Sequence, residues 1–116
     1  MNDTEKYLEK LERDFGYMLK HTSGYVYPGW MKLIRDMLSE IQALNEEDAH
    51  PVFEDIKEKF GTLRVYGYNV NAEQQDIIAR YQNIAAETCA TCGAKGELRV
   101  QHRWLYVACE EHKHGH

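Results

Sequence analysis

Residues 89–112 read CATCGAKGELRVQHRWLYVACEEH, and this stretch decides how the chain folds. Cys89 and Cys92 form a C-x2-C pair, sixteen residues intervene, and Cys109 and His112 form a C-x2-H pair. Each pair can close two ligands onto one side of a tetrahedral ion, and the stretch between them is long enough for a hairpin that returns the second pair to the first. Three thiolates and one imidazole suit Zn2+, and four protein ligands leave no position for a substrate. The predicted site is therefore structural. Gly93 follows the first pair, where a knuckle needs a tight backbone turn. Residues 97–101 and 103–108 read as two short strands joined near His102. Lys95, Arg99, Arg103 and Lys113 are candidates to soften the net negative charge of a three-thiolate site. His102, His114 and His116 are alternative fourth ligands, but the C-x2-H spacing favours His112.

Working outward, the helix that delivers the chain into Cys89 runs from about Asn71 to Thr88. Gln74 is placed for a capping box with Asn71, and Ile77, Ile78, Tyr81, Ile84 and Ala85 form its buried face. Asn2 to His21 reads as a first helix. Tyr7, Leu8, Leu11, Phe15, Met18 and Leu19 recur at three- and four-residue steps, with Asn2, Asp3 or Thr4 as cap and Ser23-Gly24 as stop. Pro28 to Asn45 reads as a second helix with a stripe of Trp30, Leu33, Ile34, Met37, Leu38, Ile41 and Leu44, and the two stripes are expected to face in a helical hairpin. Residues 45–51, NEEDAHP, are the strongest break in the chain.

Residues 52–60 are open to two readings. Phe53, Ile56 and Phe60 fit helical spacing, whereas Val52, Ile56 and Phe60 share one parity of a strand, and TLRVYGYNV is rich in β-formers. The favoured reading is a hairpin turning near Phe60-Gly61, with Leu63 and Val65 inward and Arg64, Tyr66 and Tyr68 outward. The other is a short helix to Lys59 followed by one strand. The expected fold is thus α+β and a single domain over residues 1–116. Residues 1–45 form a helical hairpin, 52–88 a β-hairpin and third helix packed on a small antiparallel sheet, and 89–112 a zinc-ribbon-like element.

At 116 residues a metal staple contributes more than it would in a larger chain. All three cysteines belong to the motif, which argues for thiolates in a reducing compartment and against disulfides. The charged N-terminus carries no signal-like apolar run, so a cytoplasmic protein is expected, and no segment approaches membrane-spanning length. The formal net charge of −5 disfavours sequence-independent binding to nucleic acid. Residues 1–50 hold 10 acidic and 6 basic side chains and residues 51–116 hold 9 and 8, so a locally basic face remains open in the second half.

Ile56-Lys-Glu-Lys-Phe60-Gly61-Thr-Leu-Arg64-Val-Tyr66, with Gly29-Trp30 before it and the cysteine motif after it, carries a resemblance. Together these residues resemble a family of small bacterial, phage and prophage proteins of no assigned activity, which pair an IKEKFGxLR(F/V)Y block with a C-terminal CxxCG…CxxH element. The resemblance covers roughly Gly29 to His112, and Val65 stands where many relatives have an aromatic. It implies a compact accessory protein of mobile elements that meets a host or phage protein, such as a defence or regulatory factor.

Three functional classes follow. A protein-interaction module would use Tyr25, Tyr27 and Trp30, or Arg64, Tyr66 and Tyr68, since aromatics and arginine dominate binding hot spots; packing between helices and sheet is the ordinary fate of any one of these rings. A nucleic-acid-binding zinc ribbon would use Lys57, Lys59, Arg64, Arg99 and Arg103 interleaved with Tyr66, Tyr68, Trp104 and Tyr106. A nuclease of the HNH type would need His102 as general base, but only fourteen residues follow it and they already hold a ligand pair. Phosphate-binding loops, H-E-x-x-H and G-x-S-x-G are absent, so the reading leans away from an enzyme.

Overall fold

The computed structural model describes residues 3–20, 22–44 and 51–113 and is a mixed α+β fold. The expected cap at Asn2 and most of the NEEDAHP break lie outside the described residues. Helix α1 (Asp3–Phe15) gives way to a 3-10 turn over Gly16–Leu19 instead of running to His21. Gly16, at φ +66°, supplies the left-handed step that ends the α-helical ladder. Pro28–Trp30 form a second 3-10 turn, which leads into α2 (Met31–Ala43).

Helix α2 is central. Leu11, Phe15, Met18 and Leu19 share one core with Leu33, Ile34, Met37, Leu38 and Ile41. Arg35 lies 5.6 Å from the Phe15 ring centroid and pairs with Asp14, while the Tyr7 hydroxyl donates to the Met31 carbonyl. On its other side α2 meets α3 (Ala72–Ala85), where Arg80 and Tyr81 both donate to Glu40. Two stripe positions depart from expectation: Leu44 and Ile84 are exposed. Leu44 stands beyond the last helical residue of α2 with non-helical dihedrals, and Ile84 falls at the edge of a buried stripe made by Gln74, Ile77, Ile78, Tyr81 and Ala85.

Residues 52–60 are a strand. Strands β1 (Val52–Lys59) and β2 (Thr62–Tyr68) form an antiparallel hairpin turning at Phe60-Gly61, whose φ values are +53° and +79°. That pair of left-handed residues marks the two-residue turn whose twist suits a hairpin. A bulge interrupts the register between Phe53 and Asp55. It turns Phe53 and Ile56 onto the same inward face, and both are fully buried. An extra residue in a strand thus imitates the three-residue step of a helix, which explains the double reading of this segment. Val52 is only half-buried and Phe60, at the turn, is exposed.

The outer edge of β1 is sealed at the bulge. The Ser23 amide donates to the Glu54 carbonyl (2.9 Å), the Ile56 amide donates to the Ser23 carbonyl (3.0 Å), and Thr22 Oγ1 donates to Phe53 O (2.6 Å). Strands β3 (Glu97–Gln101) and β4 (Trp104–Ala108) make a second hairpin. The two hairpins are separate two-stranded sheets and not one surface; α3 packs on α2 and β2. No helix among the described residues is long and apolar enough to cross a membrane.

The capping box predicted for α3 is present: Asn71 Oδ1 accepts from the Gln74 amide (2.8 Å) and Gln74 Oε1 accepts from the Asn71 amide (3.0 Å). Asn71→Ala should lower stability by about 1 kcal/mol, to be checked by chemical denaturation, with the metal content unchanged.

Candidate metal centre

The four ligands arrive on two turns held by backbone bonds. The Gly93 amide donates to the Cys89 carbonyl (2.9 Å), and the Cys89 amide donates to the Ala94 carbonyl (2.7 Å). Gly93, at φ +84°, permits this reversal at no Cβ cost. At the other end Glu110–His112 form one 3-10 turn, closed by the His112 amide on the Cys109 carbonyl (3.1 Å). Hairpin β3–β4 brings the turns together. The Arg99 guanidinium locks the junction, donating through Nε to the Ala108 carbonyl (3.0 Å) and lying 3.4 Å from Glu97 and from Glu110.

Donor atoms of Cys89, Cys92, Cys109 and His112 all lie within 4.8 Å of one another, and the group could hold a metal ion. Cys92 Sγ and Cys109 Sγ are 3.7 Å apart, Cys89 Sγ and His112 Nδ1 3.7 Å, and Cys109 Sγ and His112 Nδ1 3.2 Å. Ligands about 2.1–2.3 Å from a shared tetrahedral ion would stand roughly 3.5–3.8 Å from each other, so the set fits such an ion with small adjustment. Burial pushes the Cys89 thiol up, but hydrogen bonds from the backbone at Cys109, Cys92 and Thr91 pull it further down, to about 6. Burial also raises the Cys109 thiol, and contact with His112 outweighs it and leaves the group below its ordinary value. Cys89 and Cys109 thus favour the thiolate form that metal ligation requires, while Cys92 goes the other way: a backbone hydrogen bond from Ala94 lowers it, but burial and the neighbouring sulfurs of Cys109 and Cys89 leave it above its ordinary value. Cys89 is fully buried while Cys92 is exposed, so the site lies at the surface with one sulfur rooted in the fold.

That root is built from residues sixty positions upstream. The Gly29 amide donates to the Ala90 carbonyl (2.8 Å), and the Ala90 amide donates to the Val107 carbonyl (2.9 Å). Trp30 is 1% exposed and donates through Nε1 to the Thr88 carbonyl at 2.9 Å. A Cβ at Gly29 would overlap the carbonyls of Cys89 and Ala90. Gly29-Trp30 is therefore the seat of the knuckle. Periodicity gave no sign of this role, because the signal is a close backbone approach between distant segments.

The other candidate residues divide. Trp30 is core and not surface, so the proposed Tyr25–Tyr27–Trp30 patch does not exist as such. Tyr25 is exposed and Tyr27 half-buried, and edge-to-face contacts at 5.0 and 5.9 Å step from Tyr25 through Tyr27 to Trp30. The ladder runs inward because Trp30 needs an acceptor for its indole and finds one at Thr88. Arg64, Tyr66 and Tyr68 do point outward and are exposed. His102 sits in the β3–β4 turn at φ +50°, apart from the four ligands, and His114 and His116 lie outside the described residues. Arg103 belongs to a groove at the hairpin tips, with Glu58, Lys59, Phe60, Trp104 and Leu105, and not to the metal site. Lys95 and Arg99 do border Cys109.

No protein-family model, curated protein or solved structure matches this chain. Fold and site together define a small α+β domain with a closed Cys3His cluster at its C-terminal end.

Cys109→Ser should release the β3–β4 hairpin before the helical body, because metal binding in such sites is folding energy. Hydrogen exchange should show protection lost first over residues 89–113, and equal loss across the chain would contradict this. Gly29→Ala should weaken metal retention against a chelator, although residue 29 is no ligand.

Proposed function

We propose that this chain is a zinc-stapled protein-interaction module, a phage or prophage accessory protein of the kind its IKEKFG block resembles, acting on a host or phage protein in the cytoplasm. Zinc is the ion that three thiolates and an imidazole favour, and a donor set completed by the chain assigns it to folding and not to chemistry. The zinc-ribbon-like element then serves as a clasp that holds a short chain in shape for recognition. Three unpaired cysteines, all in one cluster, agree with a reducing compartment.

The observation that carries the reading is the outward face of β1–β2. The register sets Asp55 opposite Tyr66, Lys57 opposite Arg64 and Lys59 opposite Thr62. The Lys57 ammonium lies 5.7 Å from the Tyr66 ring centroid, and Arg64 Nε donates to Thr62 Oγ1 (2.9 Å). Tyr66 and Tyr68 are 41% and 50% exposed. Rings held on a rigid hairpin beside an arginine lose little entropy on docking, and such residues dominate protein interfaces.

The same face favours a second reading, single-stranded nucleic acid. Lys57, Lys59 and Arg64 stand beside Tyr66, the pattern of phosphate contacts interleaved with stacking rings. Asp55, 3.9 Å from Lys57, and the net charge of −5 oppose it. An HNH-type nuclease has no comparable support, since His102 stands at a turn apart from the cluster.

The triple variant Arg64→Ala/Tyr66→Ala/Tyr68→Ala should lose a stoichiometric protein that the wild type captures from native host lysate. Its stability should change only by about 0.5 kcal/mol per position, as expected for exposed sites. A wild type that recovers no stoichiometric partner, or a triple variant that keeps it, removes the reading. Retention on heparin that falls steeply with salt and disappears in the triple variant would transfer the face to nucleic acid.

A further inference from the structure

We propose that the groove between the two hairpin tips binds a free nucleotide, with its base on the rings of Phe60 and Trp104 and its phosphate on Arg103 and Lys59. This site is separate from the protein-binding face proposed above. Glu58, Lys59, Phe60, Arg103, Trp104 and Leu105 line it, and Arg64, Tyr66 and Tyr68 do not. Its volume of about 400 Å³ lies within the range of about 300–1,000 Å³ usual for small-molecule sites. Its composition is also usual for them, since three large apolar side chains make the wall and few polar groups interrupt it.

The turns that carry these residues are built against their own conformational preference. Among the described residues four non-glycine positions have positive φ, and three of them, Phe60 (+53°), His102 (+50°) and Arg103 (+67°), make the two tips. Two-residue turns of this hand are ordinarily made by asparagine and glycine, and a bulky side chain there is strained. Phe60 recovers little of that cost by packing, because it is 68% exposed; Trp104, which follows Arg103, is 50% exposed. Residues held in such conformations gather at ligand clamps. Each tip thus brings one ring and one cation to the groove: Phe60 with Lys59, whose ammonium lies 6.0 Å from the ring centroid, and Trp104 with Arg103.

The groups left over at this groove select the occupant. Backbone groups of the first tip are already engaged: the Gly61 amide donates to Glu58 Oε1 (3.0 Å), and the Lys59 carbonyl accepts from Thr62 Oγ1 (2.7 Å). A peptide that docks through its main chain finds these groups taken. Glu58 Oε2 accepts from the Tyr27 hydroxyl (3.5 Å), so both oxygens of the acid on the wall have partners within the protein, and two cations outnumber it. Ring faces remain for a flat heterocycle. A cationic rim remains for an anion, to which the planar guanidinium of Arg103 can donate twice. A nucleotide carries both groups on one small molecule. One pair of cations suits one phosphate, and the net charge of −5 works against a longer polyanion.

Calorimetric titration of the Zn2+-loaded full chain with adenosine monophosphate, adenosine and inorganic phosphate tests this. The monophosphate should bind about tenfold or more tighter than adenosine or phosphate alone, because only it engages rings and cations together. Phe60→Gly should weaken the monophosphate by about tenfold or more. It should at the same time raise the midpoint of chemical denaturation, since glycine relieves the turn. Phe60→Tyr, which keeps the ring, should bind as the wild type does. Arg103→Gly should leave adenosine binding unchanged and bring the monophosphate most of the way down to it. No saturable heat with the monophosphate up to about 1 mM overturns the proposal. So does a Phe60→Gly or Arg103→Gly chain that binds it as the wild type does. A single strand of about ten nucleotides that binds more than about tenfold tighter than the monophosphate also overturns it and assigns the groove to nucleic acid.

Discussion

The structure depends on one junction, where the backbone of Gly29 and the indole of Trp30 receive the carbonyls of Thr88 and Ala90. On one side of it lie the helices, with an extensive core of their own. On the other lie twenty-odd residues that bury little: β3 is largely exposed, and the second buried cluster contains only Cys89, Tyr106 and Ala108. A two-stranded hairpin is marginal alone in water. It stands here because a metal ion can tie its two ends and because the first end is rooted in the helical body. Either support alone would leave a clasp that is closed but floating, or docked but open.

Charge follows the same economy of placement. With a divalent ion bound, three thiolates would leave one net negative charge at the protein surface, and Arg99 lies nearby, bonded to Ala108 and flanked by Glu97 and Glu110. Lys113 is held by Glu110 in turn. Neither cation is free to roam, so the cluster sits in a fixed field. The outward face of β1–β2 lies on the other hairpin and carries its own cations, Lys57, Lys59 and Arg64. A chain of net charge −5 thus carries a locally basic, aromatic face on this hairpin, and within a Debye length of it local arrangement counts for more than the total.

What could be read from the sequence was whatever is encoded locally. The ligand set is two short-range pairs, so spacing alone identified Cys89, Cys92, Cys109 and His112 before any fold was known. The capping box at Asn71 and the turn at Phe60-Gly61 are equally local. The β1 strand was legible only in part, because the bulge at Glu54 sets Phe53 and Ile56 on one face and the periodicity then supports helix and strand alike. Trp30 carries two readings, one in the buried stripe of the second helix and one in a surface patch, and its burial bears out the first. Its neighbours Tyr25 and Tyr27 share its chemistry, and nothing within the turn says that the hydrogen-bond partner of the third ring lies fifty-eight residues onward. Gly29 is the sharpest case: its role is to have no side chain where Cys89 and Ala90 pass, and an absence of that kind leaves no pattern in a single sequence.

The two hairpins also meet at their tips, and this second contact ties the outward face of β1–β2 to the clasp. A Cβ at Gly61 would stand 2.7 Å from Leu98 Cδ1 and 3.3 Å from Leu105, so the β1–β2 turn rests directly on the apolar face of β3–β4. Around that contact three non-glycine residues hold left-handed backbones: Phe60 at φ +53°, His102 at +50° and Arg103 at +67°. Each costs on the order of 1–2 kcal/mol, and none has an asparagine or glycine to relieve it. Such turns persist when the surroundings hold them, and here each turn is part of what holds the other. Opening the metal cluster would free β3–β4, remove Leu98 and Leu105 from Gly61, and loosen the turn that fixes the register of Lys57, Arg64 and Tyr66. A metal ion held at the cluster would therefore bear on the geometry of the face on the other hairpin, without touching it.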